Sequence, residues 1–153
     1  MKKVFIVLFG LFLTLKAEGS MVSFYLIETG LSESVNDNQF AVQWENAFMD
    51  VFFDGGLIVS NAPVLRLANK PSGDILRYVN MNDARNAGID FVIIGQLDFT
   101  HNGAPSDITF FIYQVTPGEK ILERHIPGRT TRSAREEYEY MKAIARGFIT
   151  YIH

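Results

Sequence analysis

The chain contains no cysteine, and that single absence removes disulfides, thiolate metal sites, cysteine nucleophiles and a lipid-modified N-terminal cysteine together. Histidine occurs three times, so there is little imidazole for metal or acid-base chemistry. No GxGxxG or GxxxxGK sequence is present, and no serine sits in a GxSxG elbow. Gly55-Gly56 ends a helical pattern, whereas a phosphate-cradling loop must open a helix after a strand. No apolar run reaches the roughly 20 residues that span a bilayer. Nor is there an excess of positive charge. The net charge is −3, and setting aside residues 1–19 (Lys2, Lys3, Lys16 and Glu18) takes it to −5, which excludes general nucleic-acid binding. No cofactor is expected from these residues, and no metal.

What the 153 residues do hold is apolar mass: 48% hydrophobic residues and 13 Phe, enough for one domain with a real core. The first segment has the parts of a secretory signal. Lys2 and Lys3 precede the apolar run Val4 to Leu15, and Ala17-Glu18-Gly19 puts small residues at the −3 and −1 places. Cleavage after Gly19 is expected, with cleavage after Ala17 as the alternative. The competing reading is an uncleaved anchor, for which the run is too short to span. Residues 20–153 are then one exported domain, periplasmic or fully secreted, with no stable membrane insertion after the signal is removed.

Along that domain, Ser23 to Thr29 is rich in β-formers and reads as a strand ended by Gly30. Phe40, Trp44, Ala47, Phe48, Val51 and Phe52 recur at helical spacing, with Asp37 or Asn38 as the cap. Burial of that stripe is expected, and among the adjacent Val51, Phe52 and Phe53 at least one side chain is left for the surface. Leu57 to Ser60 reads as a short strand buried on both faces. Residues 63–80 give mixed signals and stay open between helix and strand. Asn82 to Ala87 reads as a short helix capped by Asn82 and ended by Gly88.

Phe91 to Phe99 (FVIIGQLDF) is the strongest strand and suits the centre of a sheet. Ile108 to Val115 and Lys120 to Ile126 form an antiparallel hairpin, joined by Thr116-Pro117-Gly118-Glu119 in type II turn chemistry. Ser133 with Glu136 makes a capping box, and Tyr138, Met141, Ala145, Phe148 and Ile152 mark the buried stripe of a last helix. The expected fold is α/β (α+β), a mixed sheet of about five strands with helices packed on it, in the order β-α-β-α-β-β-β-α.

Two groups of residues are candidate sites. Asp98, Thr100, His101 and Asp107 gather at the carboxyl end of the central strand, where ligands bind in open α/β sheets, and an Asp with a His three residues on is an acid/base or metal-ligand pair. The plainer reading is a solvated loop, since no third ligand type joins them. His125 and His153 add nothing to it, one lying on a strand and the other at the terminus. Arg124, His125, Arg129, Arg132 and Arg135 form a basic stretch running into the last helix, and arginines at a helix N-terminus suit a phosphate, a lipid head group or an acidic patch. Here the plainer reading is a mixed surface neutralised by Glu136, Glu137 and Glu139.

The element order, the strand entry Asn86-Ala87-Gly88-Ile89-Asp90-Phe91-Val92-Ile93-Ile94-Gly95 and the hairpin text Ile112 to Leu122 together resemble the N-terminal domain of the Tol-Pal protein TolB. The same α/β module recurs in envelope lipoproteins such as LpoB, the penicillin-binding-protein activator, and in the curli-export protein CsgG. The resemblance implies a periplasmic, non-enzymatic adaptor that binds an envelope protein partner. TolB-like proteins add a β-propeller, LpoB and CsgG a lipidated cysteine, and CsgG membrane-spanning hairpins. These 153 residues hold none of those parts, so the implied role is general and names no partner. Small-ligand or anion binding by an exported protein is the alternative.

Overall fold

A computed structural model describes residues 19–30, 39–100, 104–129 and 132–152. The expected signal (save Gly19), the helix caps Asp37 and Asn38, and His101 and His153 lie outside the described residues. The elements are β1 (Met21–Thr29), α1 (Gln39–Asp54), β2 (Ile58–Asn61), β3 (Leu65–Leu67), a 3-10 turn (Ile75–Tyr78), α2 (Met81–Asn86), β4 (Phe91–Asp98), β5 (Asp107–Gln114), β6 (Glu119–Pro127) and α3 (Ala134–Ile149).

They form one mixed sheet in the order β2-β1-β4-β5-β6, with β3 continuing β2 along the same edge of β1. The expected α/β architecture is therefore found, with the edge strand divided in two. β1 runs parallel to β2, β3 and β4, whereas β5 and β6 return antiparallel. β4 occupies the centre and six of its eight residues are buried, as its apolar run requires.

Alternation along the strands divides the core between two faces. On one, α1 and α3 cover Phe24, Leu26, Ile93, Leu97, Phe110 and Ile112. Phe48 stacks on Phe24 at 4.7 Å and on Phe110 at 5.0 Å between ring centres, and Trp44 and Phe148 close the aromatic group around them. Gly95 makes room for it: a Cβ there would come within 2.7 Å of Leu26 Cδ2 and 2.8 Å of Phe110 Cε1. The opposite face carries Ile27, Val92, Ile94 and Tyr113 beneath the 3-10 turn and α2.

Four local expectations need correction. β2 is an edge strand, not one buried on both faces: Leu57 is buried, but Ile58 beyond it is half exposed, and no described strand pairs with the outer side of β2. α2 is capped by Asn80, whose Oδ1 accepts from the N–H groups of Asn82 and Asp83, and the Asn82 side chain accepts from Arg85 instead. The β5–β6 connection is a four-residue loop with a cis Thr116–Pro117 peptide, wider than a type II turn, although Gly118 takes the positive φ expected of it. In the α3 capping box Ser133 Oγ accepts from Glu136 N–H as expected, but the Glu136 carboxylate reaches the N–H of Arg132, one residue before the cap. Residues 63–80, open in the sequence, hold β3 and a 3-10 turn capped by Asp74.

Candidate functional site

The carboxyl end of β4 holds a concentrated polar group among the described residues. Register places Thr29 of β1, Asp98 of β4 and Asp107 of β5 in one row, with Gln96, Thr109 and His125 in the next row on the same sheet face. Thr29 Oγ1 donates to Asp98 Oδ1, and Gln96 Nε2 donates to both Asp98 oxygens at 2.9 and 3.0 Å. Lys70, carried in by the loop after β3, places its ammonium 2.6 Å from Asp98 Oδ2 and 3.4 Å from Asp107 Oδ2. His125 Nε2 lies 3.0 Å from Asp107 Oδ1.

These contacts decide the chemistry. Burial works to raise the Asp98 carboxyl, but hydrogen bonds from Lys70, Thr29 and Gln96 outweigh it and hold the group below the usual carboxylate range. The same hydrogen bond to Asp98 raises Lys70 above its ordinary value against its partial desolvation. Lys70 is thus kept protonated and Asp98 ionised, so neither is poised as a base or a nucleophile near neutral pH. The group is an ion-pair clasp tying the β3 loop across β1, β4 and β5. Among the described residues no group of three or more His, Asp or Glu is placed to hold a metal.

Of the expected pair, Asp98 is at the centre of this clasp, whereas His101 lies outside the described residues. Lys70, Thr29, Gln96 and Asp107 complete it, and His125, set aside in the sequence as a strand residue, joins through Asp107. Strand pairing is the signal that would have found His125, since it stands across from Thr109 and one step from Asp107.

The arginines do not converge on one point. Arg124 lies over the Phe148 ring at 5.7 Å, near the C-terminus of α3. Arg129 lies over Tyr140 at 4.2 Å and donates to Glu136 Oε1 at 2.8 Å, near the other end. The two rings are separated by about 12 Å of helix axis. At the α3 N-terminus the Glu136 carboxylate takes both Arg129 and the Arg132 N–H, so the chain's own anion occupies the place an external one would need. The side chains of Arg132 and Arg135 make no ion pair among the described residues. A shallow depression of about 270 Å³ beside Arg132 is also lined by Phe40, Gln43, Ser133 and Glu137.

Two further features stand outside the clasp and the arginines, and only the exposure within Val51-Phe52-Phe53 had a sequence signal. Glu28, next to last on β1, is fully buried on the α1 side; one carboxylate oxygen takes Arg66 Nε at 2.9 Å and the other, Oε1, has no partner among the described residues. On α1, Val42 is 51% and Phe53 76% exposed. Phe53 is the surface member of the Val51-Phe52-Phe53 triplet.

No protein-family model matches the chain, and no curated protein matches it. Solved structures do. TolB from Acinetobacter baumannii aligns with a TM-score of 0.50 and 18% identity over 87% of this chain and 28% of TolB, so the chain spans under a third of that protein's length. Lipoprotein GNA1162 from Neisseria meningitidis aligns with a TM-score of 0.50 and 10% identity, over 88% of this chain and 99% of the lipoprotein. A PelC dodecamer from Paraburkholderia phytofirmans aligns at a TM-score of 0.49 and 16% identity, over 88% and 84% of the two chains. At these identities the likeness is one of fold, and the fold is TolB-like.

Proposed function

We propose that the chain is a non-enzymatic adaptor domain of the cell envelope that binds a protein partner. The observation that carries the reading is the large apolar side chains left in water on α1, Phe53 above all, in a molecule whose polar group is already satisfied from within. An aromatic that is 76% exposed contributes little to folding, and protein interfaces are where such residues are spent. Support for the envelope comes from the signal-like first segment and from the fold shared with TolB and an envelope lipoprotein. No described helix is long and apolar enough to cross a membrane. The signal at 1–19 and the domain at 20–153 are part of the same proposal.

The test is affinity capture of the tagged protein from its own envelope after brief crosslinking, read by mass spectrometry. One enriched envelope protein, lost in Phe53→Ser, is the expected result. No enriched protein, together with turnover in a screen of hydrolase substrates, would overturn the reading.

A further inference from the structure

α1 is sixteen residues long and carries Glu45, Asp50 and Asp54 with no Lys or Arg. Its solvent face follows helical spacing through Val42, Asn46, Met49 and Phe53. Around that face Glu45 is held by Asn61, and Asp50 by the Tyr138 hydroxyl at 2.7 Å and Lys142 at 3.7 Å. Asp54 makes no ion pair among the described residues. It is the last helical residue, at the end where the backbone dipole already places negative charge, and no base stands in the last turn to relieve it. Tyr151, 45% exposed, follows α3, whose Ile149 lies at this same end: a Cβ on Gly55 would sit 3.1 Å from Ile149 Cδ1.

From this we infer that the α1 face docks a partner-protein segment that is apolar on one side and flanked by Lys or Arg, with a cation placed at the α1 C-terminus beside Phe53 and Asp54. The inference rests on the protein-binding reading above and names the chemistry of the partner. Charge complementarity selects the occupant. A basic side chain there meets an unpaired carboxylate, a negative helix end and an aromatic ring face at once. An anionic membrane surface would meet like charge across the whole helix. A second copy docked isologously would set three carboxylates of α1 against the same three, and Lys142, already paired with Asp50, leaves Asp54 of each copy without a cation.

The probe is a roughly 18-residue amphipathic helical peptide of Leu and Lys, about five turns long, with a Leu/Glu peptide of the same pattern as its counterpart. Each is titrated into the isotope-labelled exported protein at physiological ionic strength and followed by amide chemical shifts. The expected result is that shifts from the Leu/Lys peptide cluster on Val42, Asn46, Met49, Phe53 and Tyr151. The Leu/Glu peptide should bind at least about tenfold more weakly, and Phe53→Ser and Asp54→Lys should each weaken the Leu/Lys peptide about tenfold. Both positions are exposed, and an unchanged melting curve verifies folding. Equal binding of the two peptides, shifts centred elsewhere, or indifference to Phe53→Ser would overturn the inference. So would concentration-dependent dimerisation, or co-sedimentation with phosphatidylglycerol vesicles, that disappears in Phe53→Ser. A partner captured from the envelope that still binds Phe53→Ser and Asp54→Lys would remove the docking site and leave the adaptor reading standing.

Discussion

α1 and α3 are two sixteen-residue helices on the same face of one sheet, and they treat water in opposite ways. α3 is conventionally amphipathic. It buries Met141, Ile144, Ala145 and Phe148 and gives its outer face to Arg135, Glu136, Glu139 and Arg146, with Glu136 and Glu137 in the first turn and Arg146 in the last, as the helix dipole favours. α1 buries Trp44, Phe48 and Phe52 yet also leaves Val42 and Phe53 exposed among Asn46 and Asp50, and ends on an acid. One helix is complete as it stands. The other has more apolar surface than the domain can use, and that surplus carries the functional account.

The largest effect should come from the buried side of α1. Phe48→Ala removes a ring in contact with Phe24, Phe52, Phe110 and Phe148, and should cost about 3–5 kcal/mol in chemical denaturation. A cost near 1 kcal/mol would mean that the aromatic group is loosely packed. Next is the buried carboxylate on the α1 side of β1. Arg66→Ala should cost about 2 kcal/mol, the partial exposure of Arg66 trimming the full penalty, whereas the double variant Glu28→Leu/Arg66→Leu should recover most of it. An equally unstable double variant would show that packing, not the stranded charge, sets the cost.

On α3, Ser133→Ala should lower stability by about 1 kcal/mol through loss of its bond to Glu136 N–H, with no change in partner binding. Away from both helices, the clasp sets a pH dependence. Asp98 is depressed in the folded state, so its contribution is present above the unfolded value and lost as pH falls through the folded one. Thermal melts from neutral to acid pH should therefore show wild type losing more stability than Asp98→Asn, and parallel curves would contradict the ion-pair account. The smallest stability effects belong to the exposed faces. Phe53→Ser and Arg135→Ala should each stay within about 0.5 kcal/mol of wild type. They should part in binding, where only Phe53→Ser has a consequence.

Much of the architecture was legible in the sequence because its signals were long or redundant. FVIIGQLDF is an almost continuous apolar run and became the central strand, and the stripe from Trp44 to Phe52 became the core face of α1. The edge position of β2 was not legible, since a short apolar run reads alike whether one or both sides are paired. The site was legible at Asp98, which ends the central strand, and at Asp107, which opens the next one. Lys70 arrives from a loop that the pairing of β3 with β1 carries across the sheet, and His125 reaches Asp107 through the β5–β6 register; neither is a local property of the sequence. The arginines mislead for the converse reason. Residues close in sequence that leave a strand, turn and enter a helix end up along the length of that helix, at Phe148 for one and Tyr140 for another.

The central claim, that the uncovered face of α1 is where this domain meets its partner, is tested most directly by placing a photo-crosslinking amino acid at Phe53 in one strain and at Arg135 in another, and irradiating living cells. The account predicts a discrete adduct with one envelope protein from position 53 and none from position 135. An adduct from position 135 alone, or from neither, would contradict it.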